Sequence, residues 1–251
     1  MLVVPSTAGA STASVEPFRE PADIDPFGSC ERYMTCPADM LVLRAKPGET
    51  NHVAISEVEA NAGRTRFLVR DKLEPVVAGS GCEPVDEPPP VAAVICTAGA
   101  IGPQQLGDGD DWLTSDGGWA YGAAGDDVMT VSFGRARGGE GDDVLLVDTG
   151  EGEGGAGDDL LIGGRGAGGA GDDRLIVASG RGGSGNDLLS CLRRRNSSCY
   201  LNGGAGNDVL SGGARGDRLD CGRGRRDRAT VGRRDRVTRC ERVTRARGGR
   251  R

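Results

Sequence analysis

Residues 138–145 read Gly-Gly-Glu-Gly-Asp-Asp-Val-Leu, residues 154–161 Gly-Gly-Ala-Gly-Asp-Asp-Leu-Leu and residues 168–175 Gly-Gly-Ala-Gly-Asp-Asp-Arg-Leu. Five more segments, starting at Leu106, Gly122, Gly182, Gly203 and Gly212, align to these without gaps; the last carries Arg215 where the others have their fourth-position Gly. The shared frame is G-G-x-G-x-D-x-U, with U apolar. Its sixth position is always Asp: Asp111, Asp127, Asp143, Asp159, Asp173, Asp187, Asp208 and Asp217. Its eighth is always Leu or Met: Leu113, Met129, Leu145, Leu161, Leu175, Leu189, Leu210 and Leu219. The residue between them drifts from Trp112 and Val128 to Arg174 and Arg218. Two selected positions around a free one describe a short strand with a single buried face. Glycine-rich low complexity would not keep two positions fixed while a third varies, so the stretch is read as folded.

The frame resembles the RTX nonapeptide of parallel β-rolls, over about half the chain from Leu106 to Leu219. The fold implied is all-β: a right-handed parallel β-roll or β-solenoid, with a small N-terminal β cap domain. The resemblance also implies turns that bind several Ca²⁺ ions between successive coils. The eight sixth-position Asp side chains would be ligands. Turn backbone would contribute at Gly125, Gly138, Gly141, Gly154, Gly157, Gly168, Gly171, Gly182, Gly185, Gly203 and Gly206. A tight turn of this kind needs positive φ and close backbone approach, which glycine supplies.

Spacing departs from the family. Usual arrays repeat every nine residues, whereas here the sixth-position Asp residues are separated by 16, 16, 16, 14, 14, 21 and 9. One strong loop per coil is therefore expected, with the loops stacked along one edge and metal-poor return sides. The nine-residue step to Asp217 places that residue on the opposite edge and makes it the weakest ligand.

Stacked coils lie about 4.8 Å apart, so equivalent carboxylates would approach to roughly 5 Å. At an effective dielectric of 20 each adjacent pair repels by about 3 kcal/mol, which over several coils rivals a domain's whole stability. A divalent ion shared between neighbouring turns removes that repulsion. Hard oxygen ligands favour Ca²⁺, and Mg²⁺ suits the site less because it demands compact octahedral geometry. The fifth-position residues Asp110, Asp126, Asp142, Asp158, Asp172, Asn186 and Asn207 are expected to make local turn hydrogen bonds, since Asn serves there as well as Asp.

Composition divides the chain. Of 44 glycines only six precede Gly99, and aromatics are 4%, which argues for a narrow repetitive core. We divide it into a leader or signal-peptide remnant (1–20), an N-terminal cap (21–98), the roll (99–221) and an Arg-rich C-terminal cap or tail (222–251). Ala8-Gly9-Ala10 fits a cleavage site, without the basic and apolar regions that would precede it. Apolar runs at Met40–Arg44, Val53–Ser56, Thr65–Arg70 and Val91–Cys96 predict the cap's strands. Capping hides the first coil's apolar surface and strand edge.

Eight cysteines fall into neighbouring couples, Cys30 and Cys36, Cys82 and Cys96, Cys191 and Cys199, Cys221 and Cys240. Oxidised pairs in a secreted, extracellular protein are the expectation, with pairing between sequence neighbours a prior from easily closed loops. Zinc is the rival reading, but no C-x₂-C occurs and His52 is the lone histidine. No apolar run is long enough to span a membrane.

Residues 223–251 hold 13 Arg and 3 acidic residues, so +10 there is set against −16 elsewhere. Either this is a solvated cap in a chain with 29 Arg and 2 Lys, or it attracts an anionic cell-surface polymer. No specific nucleic-acid partner is indicated. Gly-x-Gly-x-x-Gly strings such as 152–157 reflect glycine density, because neither they nor their neighbours open a helix within a βαβ unit. Metalloprotease, nucleophile-elbow and P-loop motifs are absent. The expected function is a non-enzymatic calcium-binding or surface-interaction protein. The alternative is a secreted hydrolase or toxin-like protein whose roll is only a folding or secretion module; a polar pocket within residues 21–98 would separate the two.

Overall fold

The computed structural model describes residues 11–17, 39–46, 48–61, 64–73, 75–85, 93–192, 197–213 and 216–245. All regular elements among them are strands, mostly parallel and stacked as a β-solenoid of about 9 turns. Each coil has two flat sides joined by two edges. The first side carries β9 (Trp112–Ser115), the opening halves of β11 (Val128–Glu140), β12 (Val144–Ala156), β13 (Leu160–Ala170) and β14 (Arg174–Ser184), then β15 (Leu188–Cys191), β17 (Val209–Ser211), β19 (Arg228–Val231) and β21 (Arg242–Arg245). The second side carries β8 (Ala100–Asp108), β10 (Gly118–Ala124), the closing halves of β11 to β14, then β16 (Tyr200–Ala205), β18 (Arg218–Arg223) and β20 (Arg236–Thr238).

The eighth-position residues form the spine of the core. Leu113, Met129, Leu145, Leu161, Leu175, Leu189 and Leu210 stack in register, each 0–1% exposed. Burying such a side chain contributes about 1.5–3 kcal/mol. Their seventh-position neighbours point outward, as the two-residue strand period requires, and Trp112 is 48% exposed. Across the coil the core is thin: Ala120, Ala136, Gly152, Gly166 and Gly180 face the leucines until Leu201 and Leu219 widen it.

From Asp111 to Asp208 coil length varies only at the second edge, where the first side hands over to the second. Between β12 and β13 the register jumps from Val147↔Gly163 to Glu151↔Arg165, which removes two residues there. The 21-residue step is also absorbed at that edge: β14 pairs with β15 on one side and β16 on the other, and the added residues fall between Cys191 and Cys199, which are joined to each other. The Asp-bearing first edge therefore stays in register from Asp111 to Asp208; beyond it the edge gains one residue, because Ala205↔Arg223 is followed by Val209↔Arg228, and then shortens, because Asp220↔Thr238 is followed by Arg228↔Arg242.

The cap is built on the same lattice. β2 (Asp39–Arg44) pairs in parallel with β8, and β3 (His52–Asn61) with β9, so the two strands form a coil above the first repeat. β4 (Arg64–Asp71), β7 (Ala93–Ala98) and β6 (Cys82–Val85) extend β3 as an antiparallel sheet. Residues placed in the leader from sequence also belong here: β1 (Thr12–Pro17) pairs antiparallel with β2 and in parallel with β5 (Val77–Ala78), with Ala13 fully buried. Residues 222–245, read as a cap or tail, continue the coil through β19, β20 and β21. Cys82–Cys96, Cys191–Cys199 and Cys221–Cys240 are joined, as neighbour pairing predicts; Cys30 and Cys36 lie outside the described residues.

Candidate metal centre

Each strong turn starts where a strand of the second side ends and finishes where one of the first side begins. Its fourth-position residue, for example Gly141 or Gly171, sits at φ +123° or +136° and gives its N–H to the next coil's third-position carbonyl at 2.8 Å. A Cβ at either position would run into backbone of the coil above. This left-handed geometry lets the chain reverse within a few residues.

The sixth-position Asp then points into the coil. Asp111, Asp127, Asp143, Asp159, Asp173, Asp187 and Asp208 are 0–2% exposed and form one line along the first edge. Oδ1 of each accepts the N–H of the equivalent residue in the coil before it. Asp111 donates to Asp127, Asp127 to Asp143 and Asp143 to Asp159 at 2.8–2.9 Å, and the chain of bonds runs on through Asp173 and Asp187 to Asp208. Oδ2 of each is buried without a hydrogen-bond partner.

Except at Asp111, whose turn begins with Leu106, those Oδ2 atoms face the first-position glycines. A Cβ on Gly122, Gly138, Gly154, Gly168, Gly182 or Gly203 would collide with the carboxylate of its own turn. For Gly138 and Gly154 the other close atom is the first-position carbonyl oxygen one coil further on, Gly154 and Gly168 respectively, at 2.7 Å from the hypothetical Cβ. A carboxylate oxygen and a carbonyl oxygen from the adjacent coil thus come together where only glycine gives the carboxylate room. A hard divalent cation needs this donor set.

Burial makes the column electrostatically costly. Desolvation, reinforced by neighbouring carboxylates and opposed by the donated N–H, pushes Asp127, Asp143 and Asp173 up to about 7. The same desolvation raises Asp111, Asp159, Asp187 and Asp208 to about 6.

The column is longer than the repeat frame showed. Above it, Asn51 of the cap occupies the equivalent position: its N–H donates to Asp111 Oδ1 at 2.6 Å, and its side-chain amide donates to the same atom at 2.9 Å. Below it, Asp227 accepts from Asp208 through Oδ1, leaves Oδ2 buried and unpartnered, and donates to Glu241 Oε2 at 2.9 Å. Its pKa is likewise raised by desolvation. Asp227 escaped the frame because its turn carries one extra residue: Arg223 takes the third position and Gly224 the fourth, and both Arg225 and Arg226 stand before Asp227 where the frame has one residue. The signal available was its place one coil after Asp208, followed by Ala229, which takes the core position of the leucines.

Asp217 sits on the second edge, as its nine-residue spacing predicts, and differs from the column. Oδ1 accepts from Cys199 N–H at 2.8 Å and Oδ2 from Gly213 N–H at 2.6 Å. Asp235 below it is held in the same way, by Asp217 and Gly232 N–H groups. Cys191, Cys199 and Asp217 each place a potential ligand atom within 4.8 Å of the others. The two sulfurs are joined to each other, and Asp217 already has a donor on each oxygen, so this trio is a structural junction.

The fifth-position residues form a second, exposed ladder. Asp110, Asp126, Asp142 and Asp158 each accept through Oδ1 the N–H of the equivalent residue in the coil after, at 2.7–2.9 Å, and the series ends with Asp172, Asn186 and Asn207. These bonds join coils and are not local to a turn. Asn fits because the position needs only a side-chain oxygen. The two ladders run in opposite senses, so each coil is bonded to its neighbours in both directions.

His52 stacks on Trp112, with ring centroids 5.2 Å apart, and its Nε2 lies 3.4 Å from Lys72 Nζ. Two surface hollows lie on the second side of the roll, and neither includes a cap residue. No described helix is long and apolar enough to cross a membrane. Comparison of the chain with family models, with curated proteins and with solved structures found no match.

Proposed function

We propose that the chain is a secreted calcium-binding β-roll of the RTX kind, without enzymatic activity, whose folding is completed by a file of Ca²⁺ ions along its first edge. One observation carries this reading: a line of buried, unpartnered Oδ2 atoms, all but that of Asp111 packed beside a glycine where a Cβ would displace the carboxylate, and bordered in several turns by a carbonyl oxygen of the next coil. A buried carboxylate oxygen with no partner costs several kcal/mol unless it is protonated or meets a cation. The oxygens alternate between coils, so each ion would be held by two turns and would join them. Asp111, Asp127, Asp143, Asp159, Asp173, Asp187 and Asp208 are the proposed side-chain ligands, with Asp227 added; Asp217 is assigned to turn structure. Joined cysteines suit an oxidising compartment and so support secretion.

The test is calorimetric titration of chelator-treated protein with CaCl₂, with MgCl₂ as control. Several ions bound, with a rise in melting temperature and in β-sheet ellipticity, is the expected result. Asp143→Asn should reduce the number of ions bound, while Asp217→Asn should leave it unchanged. Protein that keeps the same fold and melting temperature in excess chelator, and takes up no calcium, would refute the proposal.

A further inference from the structure

The second side of the roll holds two adjoining hollows of about 520 and 790 Å³ that share Arg135, Glu151, Arg165 and Ser179. They exist because this wall is thin: Gly152, Gly166 and Gly180 take inward positions where later coils have Leu201 and Leu219, and the two-residue shortening falls on the same coils. An aromatic ring stands at each end. Trp119 and Tyr200 occupy the same outward column, separated by Arg135, Glu151, Arg165 and Ser179. Five coil steps put them about 24 Å apart.

The intervening side chains alternate in charge. Arg135 and Arg165 both pair with Glu151, at 2.8 and 3.3 Å, and Arg137 pairs with Glu153 at 2.8 Å. Arg181, in the neighbouring column, has no ion pair among the described residues. Across the two hollows four guanidiniums face three carboxylates, Asp148, Glu151 and Glu153, and the excess positive charge falls at the Tyr200 end, where Arg137 and Arg181 stand, on a chain of net charge −6.

We propose that the hollow binds a linear polysaccharide bearing carboxylates, laid along the solenoid axis. Guanidiniums oriented by their glutamate partners are ready to take sugar carboxylates in bidentate fashion. Glu151 and Glu153 can accept the sugar hydroxyls that lie between the ligand's own carboxylates, whereas a peptide of acidic side chains has no hydroxyls to set against their repulsion. Trp119, and the face of Tyr200 opposite the Arg218 guanidinium that lies 5.8 Å from its ring centroid, would meet the apolar faces of sugar rings. A nucleic acid, by contrast, is held by cations not interrupted by carboxylates.

Full-length protein at constant calcium would be titrated with a short galacturonic acid oligomer. A neutral glucose oligomer of equal length, poly-glutamate and single-stranded DNA serve as controls. Binding of the uronate alone is expected, weakened about 10-fold by Arg181→Gln or Tyr200→Ala and retained by Tyr200→Phe. Replacing Arg247, Arg250 and Arg251 by Ser should leave it intact. Circular dichroism on each variant separates lost binding from lost fold. No uronate binding, equal binding of DNA or poly-glutamate, or affinity that follows the terminal arginines and ignores Arg181 and Tyr200 would overturn the assignment.

Discussion

Gly138 and its counterparts owe their identity to the carboxylate they face. In the substitution Gly138→Ala the new methyl would overlap the Asp143 carboxylate and the Gly154 carbonyl, neither of which can retreat from a packed coil. The variant should lose roughly 2 kcal/mol or more of stability, read as a lower denaturation midpoint in calcium, together with weaker calcium uptake. Gly48→Ala is the control: its φ is +75° but nothing lies within 4 Å, so the loss should be about 1 kcal/mol. The sequence marks Gly138 as part of the repeat but does not show that a methyl there has no room. Only the position of the facing coil does.

The buried carboxylates also set a pH dependence. Their unfolded pKa is near 3.9, and burial raises the folded values to about 6 or 7, so between those limits the native state holds more protons than the unfolded chain. Stability of metal-free protein should therefore be fully present below about pH 4 as far as these groups are concerned, and lost as pH rises through 6 and 7. Chelator-treated protein is expected to melt higher at pH 5 than at pH 8, and calcium, which binds the deprotonated form, to raise the melting temperature more at pH 8. An opposite trend in metal-free protein would show that the column is not protonated in the way its burial requires.

Among elements, the second edge does the accommodating. A two-residue deletion, the residues added between Cys191 and Cys199, and the Asp217 and Asp235 turns all lie there, while the first edge repeats without interruption from Asp111 to Asp208. The Cys221–Cys240 pair ties β18 to the coil below it, where strands are short and β21 is exposed along its length. In the double variant Cys221→Ser, Cys240→Ser, a loss of about 2–4 kcal/mol is expected, and amides of β18 to β21 should exchange faster than those of β11 to β14. The eighth-position leucines and the outward seventh position were legible in the sequence, because a strand's alternation is local. The intercoil role of Asp126 and its series was not, because a hydrogen bond to a residue 16 positions away has no local signature.

For the whole molecule, the cap and the roll form one continuous lattice. β2 and β3 cover the strand edges that β8 and β9 would otherwise expose, and Asn51 heads the carboxylate column with a neutral side chain. Deleting residues 1–98 should convert a monodisperse protein into one that aggregates even with calcium, as light scattering would show, because two unpaired parallel edges and the end of the leucine spine are uncovered. A truncated protein that stays monomeric and folded would show that the first coil needs no cover.

The sequence by itself determined the repeated turn, the inward leucine and the shared edge of the aspartates, since each depends on a period that a chain of stacked strands must keep. It also supplied the cysteine couples, whose members are near enough to close short loops. Tertiary structure alone decided which oxygen of each aspartate is left without a donor and where the changes of spacing are absorbed. It also placed Asn51, Asp227 and Glu241 at the ends of the column. Those outcomes depend on which backbone lies one coil away, at separations from 14 to 60 residues, and local residue patterns carry no record of it.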